Sequence, residues 1–336
     1  MVKISVIGAG SWGTALAVLL DKNGHEVTIW SHRASQVELM QTTHTSDKLK
    51  DAVLPDSMIF TTNLQEAVSS ADVIIMAVPS KATREIAYQV KPFLNKEQII
   101  VTVTKGFEDD TLYTQTEILE DVFGSDTKIC VLSGPSHAEE VVVFKPTLVV
   151  VGCKDKETAF YIQNLFMNDY FRVYSSPDVM GIEVGAALKN VIALAAGMAD
   201  GIGFGDNCKA ALITRGIKEI SELAVAMGGH QETLSGLTGV GDLIVTCSSI
   251  HSRNRMAGFY MGQGMTTDEA MEKVNMIVEG VYSAKAALKL AKKYNVSMPV
   301  VEQVNRILFE GLTVKDAVPS LMSRTRKSEL NVEDWV

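Results

Sequence analysis

Short β-branched runs alternate with helical patterns as far as residue 180, helical patterns alone follow, and a G-x-G-x-x-G joins the first strand to the first helix. Together these predict an α/β N-terminal domain built on a doubly wound, mostly parallel sheet, followed by an all-α C-terminal domain. Length agrees. A single core stops growing at roughly 250–300 residues, so a chain of 336 residues is expected to divide, here into residues 1–180 and 181–336.

The elements are justified in order. Val2–Ile7 is a fully apolar strand, and Thr14–Lys22 a helix stopped by Asn23-Gly24. Val27–Trp30, Ile59–Thr62, Val73–Val78, Ile99–Thr104 and Ile129–Leu132 are further strands. Helical spacing lies between them at Leu64–Ser69, Lys81–Lys91 and Leu112–Val122. Unbroken apolar strands joined by helices mean a sheet covered on both faces. Thr147–Gly152 and Phe171–Tyr174 extend it on either side of a helix at Lys156–Phe166. After Pro177 come helices at Val179–Met198, Cys208–Met227, Thr267–Val274, Ser283–Lys293 and Pro299–Phe309, and beyond Ser323 a polar, loosely ordered tail.

Composition excludes several classes. With 46% hydrophobic and 21% charged residues this is an ordinary globular chain. The net charge of −9 and the lack of any basic stripe argue against nucleic acid as partner. Cys130, Cys153, Cys208 and Cys247 are far apart, with no metal-ligand spacing, so free thiols in a reducing cytoplasm and no metal are expected. The apolar stretch Ile182–Met198 carries Glu183, Lys189 and Asn190, which lipid would not tolerate cheaply, so a buried helix and no membrane insertion are expected. Several helical faces of the second domain would serve as core or as interface, which leaves the oligomeric state open, a homodimer included.

Gly8-Ala9-Gly10-Ser11-Trp12-Gly13 follows a strand and opens a helix. In that context the first glycine permits the tight turn, the second lets a pyrophosphate approach the backbone, and the third lets helix and strand pack closely. The helix N-terminus then favours the phosphates. An NAD-selective site places Asp or Glu at the end of the second strand, but here Ser31-His32-Arg33 follows. Arg33, with His32 and Ser31, is suited to a 2′-phosphate, so NADP(H) is expected to be preferred or at least accepted. The alternative is a solvated surface cation.

Hydride transfer to a carbonyl needs a proton partner for the oxygen. Lys189 lies within an otherwise apolar helix, where desolvation disfavours its charged form. The competing reading is a salt bridge to a buried acid. Downstream, G-L-T-G-V-G-D-L-I-V-T at 236–246 delivers Asp242 and Thr246 between apolar residues, and Asp242 is placed to hold Lys189, or else is a turn residue. Ser252-Arg253-Asn254-Arg255 reads as a cationic loop, suited to phosphate or simply to solvent. The fifth strand ends in Thr104-Lys105-Gly106 and the next in Ser133-Gly134-Pro135-Ser136-His137, both at the ligand-binding ends of strands. His137 opens a helix, which argues against a charged role, and it is left out of the chemistry.

The ordered set V-I-G-A-G-S-W-G-T-A-L-A, T-K-G at 104–106, L-S-G-P-S-H-A-E-E at 132–140, L-K-N-V at 188–191, G-L-T-G-V-G-D-L at 236–243 and S-R-N-R at 252–255 resembles the bacterial NAD(P)-dependent glycerol-3-phosphate dehydrogenases. A-G-M-A-D-G-I-G-F-G-D-N at 196–207 and V-E-G at 278–280 belong to the same pattern, which spans essentially the whole chain. The resemblance implies reduction of dihydroxyacetone phosphate to sn-glycerol 3-phosphate for phospholipid synthesis, with Lys189 as acid–base residue. It implies substrate contacts from Lys105, Gly134, Ser136, Asp242, Ser252, Arg253 and Asn254, with Asn190 and Thr246 lining the same pocket. Dinucleotide contacts are implied for Ser11, Trp12, His32, Arg33, Lys105, Ala138, Arg253, Ile277 and Glu279. Two rivals compete. A β-hydroxyacid dehydrogenase would reuse Lys189 and Asn190 without a phosphate site, and a non-catalytic dinucleotide sensor would need no desolvated lysine.

Overall fold

The structure, a computed structural model, describes residues 1–325 and Glu329. Apart from Arg324, Thr325 and Glu329, the polar tail read from the sequence lies outside the described residues. Eight strands form one sheet: β1 (Lys3–Ile7), β2 (Glu26–Trp30), β3 (Ile59–Thr61), β4 (Val73–Met76), β5 (Ile99–Thr102), β6 (Lys128–Ser133), β7 (Thr147–Cys153) and β8 (Phe171–Ser176). Their order is β3-β2-β1-β4-β5-β6-β7-β8, and every pair is parallel except β6 with β7. Val6, Ile75 and Val101 belong to the core on one face, and Ile7, Ile74 and Ile100 to the core on the other. Burial on both faces is why these strands read as unbroken apolar runs.

The helices of this part are α1 (Ser11–Lys22), α2 (Ala34–Thr43), α3 (Leu64–Ser69), α4 (Thr83–Val90), α5 (Gln115–Phe123), α6 (Ala138–Val141) and α7 (Lys156–Phe166). Connections leave β1 toward β2 on one side and β4 on the other, so a crevice opens beyond the carboxyl ends of β1 and β4. Gly8 and Gly13 shape its floor. Gly8 has φ +118°, and a Cβ there would stand 2.5 Å from the Ala77 carbonyl oxygen. A Cβ on Gly13 would stand 2.2 Å from the Gly8 oxygen. No larger residue fits either position with the turn intact.

From Val179 the described chain is helical: α8 (Val179–Ile202), α9 (Gly205–Ala226), α10 (Gln231–Leu234), a π-helical turn at Leu237–Gly241, α11 (Asp242–Ser248), α12 (Arg253–Gly262), α13 (Thr267–Val274), α14 (Glu279–Tyr294), α15 (Pro299–Phe309) and α16 (Val314–Met322). The central element is α8. It is long and apolar enough to cross a membrane, with mean hydropathy 1.6, but 94% of its apolar window is buried by its neighbours. A helix apolar all round belongs in a core. Its start is fixed by Asp178, whose carboxylate accepts from Gly181 N at 2.9 Å, His230 N at 2.9 Å and Thr233 Oγ1 at 2.5 Å. One turn on, buried Glu183 accepts from the backbone and hydroxyl of Thr116 in the first turn of α5. The helix is thereby held to the sheet half of the molecule.

Against α8 lies α12, running in the same direction. A Cβ on Gly197 would sit 2.0 Å from the Arg255 oxygen, and one on Gly258 2.1 Å from the Leu194 oxygen. Gly201 and Gly262 repeat the arrangement one turn later, at 2.2 and 2.3 Å from backbone oxygens. Backbone therefore touches backbone along this seam.

The structure departs from the sequence reading at several boundaries. Helix α2 was not expected, because its weakly apolar sequence shows no helical stripe. The cluster Ser252–Arg255, expected in a loop, instead opens α12: Ser252 Oγ accepts from Arg255 N at 3.2 Å and caps it. Asp242 likewise starts a helix. Asp242 follows Gly236, Gly239 and Gly241, which obscure the 3.6-residue period, and Ser252–Arg255 is a polar run with no apolar stripe to mark a helix.

Gly258→Ala is expected to cost about 1–3 kcal/mol, because the added methyl meets the Leu194 carbonyl carbon and oxygen, which are backbone and cannot rotate aside. Urea unfolding checks it; a midpoint unchanged from the parent would show that the seam is looser than its distances.

Candidate active site

The crevice is lined by loops from both halves. Beyond β5, Thr104 Oγ1 donates to the Val78 oxygen at 2.8 Å and steadies the strand end. The next residue, Lys105, donates from Nζ to Asp242 Oδ2 at 2.8 Å and to the Gly134 oxygen at 3.4 Å. Gly134 has φ +150°, and a Cβ there would meet Val149 Cα at 2.9 Å, so the turn after β6 needs glycine. Ser136 Oγ donates back to the Gly134 oxygen at 3.0 Å.

From the other side, Lys189 on α8 donates to Asp242 Oδ1 and, at 2.7 Å, to Thr246 Oγ1. Thr246 in turn donates to the Asp242 carbonyl at 2.6 Å. Asp242 and Thr246 stand four apart on α11 and so share a face. Lys105, Gly134, Lys189, Asp242 and Thr246 are thus brought together by direct bonds. Sequence alone left open whether Lys189 serves chemistry or a salt bridge. It makes the salt bridge, to the residue proposed to orient it.

Two ammonium groups share one carboxylate here, in a place almost without water: side-chain exposure is 1% for Asp242, 8% for Lys189 and 19% for Lys105. Burial penalises the surplus positive charge, and the Lys189 pKa is pushed down to about 7, with Lys105 adding to the effect and Asp242 opposing it. Burial alone would raise the Asp242 carboxyl, but the two cations outweigh it and hold the group below its ordinary value. The cluster can therefore release a proton from Lys189 near neutrality while Asp242 stays ionised.

A second cluster adjoins it. Asn254 Nδ2 donates to Asn190 Oδ1 at 2.9 Å, and Asn254 Oδ1 accepts from Gly280 N at 2.8 Å. Asn190 follows Lys189 directly, so the amide pair fixes α12 and α14 relative to the lysine. Arg253 beside Asn254 is exposed and makes no hydrogen bond or ion pair among the described residues. Glu279 accepts from Ser80 N at 3.2 Å and Ser80 Oγ at 2.6 Å, linking the start of α14 to the loop after β4. Burial raises its carboxyl pKa. Ile277 is 43% exposed, while Ala138 is buried as the first residue of α6.

At the start of α1 the first helical bond is Thr14 N to the Gly10 oxygen, 2.9 Å, so the N–H groups of Ser11, Trp12 and Gly13 precede it without helical partners. Nothing lies within 4 Å of a Cβ built on Gly10. Open space before free N–H groups at a helix N-terminus fits the pyrophosphate of a dinucleotide. The Ser11 hydroxyl is engaged elsewhere, donating to the Lys48 oxygen at 2.7 Å.

At the far end of the crevice the structure adds a residue. Arg33 Nη2 lies 3.4 Å from Asp47 Oδ2, and Lys48 Nζ 3.5 Å from the same oxygen. Gln36 Nε2 donates to Asp47 Oδ1 and to the Ala9 oxygen, both at 2.8 Å, tying this loop to the glycine turn. So the end of β2, acid-free in sequence, has an acid beside it in space. His32 is exposed next to Arg33. Nothing in the sequence ties Asp47, fourteen positions after Arg33, to that strand.

His137, set aside on the sequence, stands close enough to feel Lys189 and Asp242. Burial first, then the Lys189 charge, holds its imidazole pKa below the ordinary value. Its Nε2 is buried without a partner among the described residues, and its ring lies 5.9 Å from that of His251. An uncharged role at neutral pH agrees with the sequence reading.

Replacing Asp242 by Asn leaves two buried ammonium groups without their anion. A loss of about 3–5 kcal/mol is expected, read by urea unfolding. An unchanged midpoint would mean that the lysines turn outward to solvent and that the cluster is not held as drawn.

Comparison with known proteins follows the same lines. The chain matches the NAD-dependent glycerol-3-phosphate dehydrogenase N-terminus model over residues 3–159 and the corresponding C-terminus model over residues 178–319. A glycerol-3-phosphate dehydrogenase [NAD(P)+] of Fusobacterium nucleatum is 56% identical over 337 residues, covering 100% of both chains. That of Bacillus subtilis is 51% identical, covering 100% of this chain and 98% of its own. Among solved structures, the glycerol-3-phosphate dehydrogenase of Coxiella burnetii superposes with TM-score 0.93 at 35% identity, over 96% of this chain and 99% of its own. With both halves matched in order and the buried lysine cluster at their junction, the chain belongs to the NAD-dependent glycerol-3-phosphate dehydrogenase family.

Proposed function

We propose that this protein is an NAD(P)-dependent sn-glycerol-3-phosphate dehydrogenase that reduces dihydroxyacetone phosphate in the cytoplasm and supplies glycerophospholipid synthesis. The observation that carries the reading is the buried Lys189, paired with Asp242 and poised to lose a proton near neutrality, beside a helix start that presents Arg253 and Asn254. Residues 1–180 serve as the dinucleotide unit and 181–336 as the substrate unit. The dinucleotide rests on the glycine turn Gly8, Gly10 and Gly13 with Ser11 and Trp12, and is flanked by His32, Arg33, Lys105, Ala138, Arg253, Ile277 and Glu279.

When bound, the nicotinamide supplies a hydride to carbon 2 of the ketone. The protein's own part is positional and electrostatic. Ser252, Arg253 and Asn254, with the free N–H groups opening α12, hold the phosphate; Arg suits it through its bidentate geometry. Binding energy from that remote group places the carbonyl beside Lys189. Gly134, Ser136, Asn190 and Thr246 line the remaining wall. As negative charge develops on the carbonyl oxygen, the Lys189 ammonium donates its proton and is left as a neutral amine, the form that burial favours. Asp242 and Thr246 hold Nζ in place throughout, and Lys105 keeps Asp242 ionised. In the reverse direction the neutral amine accepts the hydroxyl proton.

Following NADPH absorbance on adding dihydroxyacetone phosphate tests this. Rapid oxidation by the parent and a loss of about a thousandfold in Lys189→Ala are expected; a parent that binds NADPH but leaves the ketone untouched would sink the substrate assignment. The signs of the pH dependence are opposite for the two directions. Reduction needs the ammonium and should decline as pH rises through about 7, whereas glycerol 3-phosphate oxidation needs the amine and should rise over the same interval. Parallel limbs in both directions would show that another group titrates.

Nucleotide choice is set by the balance at β2. Arg33 favours a 2′-phosphate, whereas Asp47 competes for Arg33 and repels that phosphate, so both nucleotides are accepted. Asp47→Asn should lower the KM for NADPH severalfold relative to NADH, and Arg33→Asp should shift preference the other way. A KM ratio unmoved in both variants would place nucleotide discrimination elsewhere.

A further inference from the structure

S-R-N-R carries two arginines of equal formal charge, but the structure treats them differently. Arg255 donates from Nε and Nη2 to Asp200 Oδ2, at 2.9 and 2.7 Å. Lys209 Nζ, from α9, lies 2.7 Å from the other oxygen, Asp200 Oδ1. Side-chain exposures of 14% for Asp200, 15% for Arg255 and 22% for Lys209 place this clasp largely out of water, where charge-assisted bonds hold geometry firmly. Arg253, two positions earlier, is exposed and uncommitted among the described residues.

We infer that Asp200 is a positioning residue for the substrate phosphate: it fixes the first turn of α12 through Arg255 and withdraws Arg255 and Lys209 from competition, so that the phosphate is held at Arg253 and Asn254 alone. This rests on the assignment of those two residues to the phosphate.

Three features combine. Asp200 belongs to α8, the helix that also carries Lys189 and Asn190, so the clasp measures the phosphate site from the same element that holds the proton donor. The glycine seam sets how near α12 lies to α8, but glycine has no side chain to fix how the helix turns about its axis. The clasp supplies that. Its grip at Arg255 adjoins the Asn254–Asn190 bond, and together they leave Ser252 and Arg253 a single orientation. Finally, one carboxylate between two cations leaves one net positive charge in the clasp. Without Asp200, two loose cations would stand near the α12 start, and a phosphate would have a choice of seats at differing distances from Lys189.

The test compares Asp200→Asn, Asp200→Glu and the parent, as full chains, on dihydroxyacetone phosphate and on the phosphate-free ketone dihydroxyacetone at high concentration. For Asp200→Asn, kcat/KM on the phosphorylated ketone should fall about tenfold or more, the scale of one mispositioned charged hydrogen bond, while kcat/KM on dihydroxyacetone stays within about twofold. Asp200→Glu should recover most of the loss. An equal fall on both ketones, or no fall on either, would overturn the positioning role. Should Asp200→Asn fail to fold, Arg255→Lys keeps the charge, loses the two-nitrogen grip and should show the same phosphate-selective loss in milder form; its absence would count equally against the clasp. A parent inactive on dihydroxyacetone phosphate would instead remove the underlying phosphate assignment.

Discussion

The structure turns on one buried carboxylate. Asp242 receives Lys105 from the sheet half and Lys189 from the helical half, so the proposed proton-transfer cluster is also one of the ties between the halves, beside Glu183–Thr116 and Glu279–Ser80. Burying an ion pair is costly unless its remaining bonding capacity is met. Here Thr246 accepts from Lys189, the Gly134 carbonyl receives Lys105, and the α11 helix begins at Asp242 itself. The arrangement leaves one positive charge uncompensated. Burial, which penalises that surplus, is the main cause of the lowered Lys189 pKa, and the Lys105 charge adds to it. Stability and reactivity are drawn from the same desolvation.

Around that centre, α8 acts as the common ruler. Asp178 and Glu183 fasten its first turns to α10 and α5, Lys189 and Asn190 stand at its middle, and Asp200 closes near its end. Glycines on the side facing α12 let backbone approach backbone, so polar groups borne by either helix meet within one hydrogen bond. Glu183 is itself buried, with its pKa pushed up to about 7, and is retained against that penalty by the hydroxyl and backbone of Thr116. A helix apolar on all sides would otherwise be free to turn within its packing. The few acids along α8 remove that freedom, each by reaching a different neighbouring element.

Much of this was legible in the sequence, and the reasons are physical. The strand runs, the glycine turn and the apolar helix around Lys189 follow from short-range rules, and the structure has them nearly where the spacing puts them. A lysine between apolar residues announces its desolvation without any knowledge of the fold, and Asp242 was already the candidate to hold it. What failed to show is of two kinds. Helices α2, α10, α11, α12 and α16 are short, carry glycine or proline, or lack an apolar stripe, so periodicity is silent where tertiary contacts decide. Pairings over long separations were equally hidden. Arg33 with Asp47, Arg255 with Asp200 and His137 with Lys189 depend on which chain segments the fold brings together, and no local pattern encodes that. The S-R-N-R cluster shows the limit clearly. Two arginines that look interchangeable in sequence prove to be one exposed cation and one structural clasp.

The two ends of the crevice also differ in how freely they can change. At the Asp242 end the cluster is interlocked: moving Asp242 disturbs Lys105, Lys189 and the start of α11 together. At the β2 end, Arg33, Asp47 and Lys48 are half-exposed and meet at 3.4–3.5 Å, distances of weak, solvent-screened attraction. Substitution of Arg33 or Lys48 there removes only weak attraction, whereas Asp47 also accepts from Gln36 Nε2 at 2.8 Å. The lysine cluster and the β2 end are therefore parts of very different rigidity. On the roles proposed above, nucleotide preference is open to change at β2 without touching the lysine cluster, whereas that cluster has no member that can be altered alone.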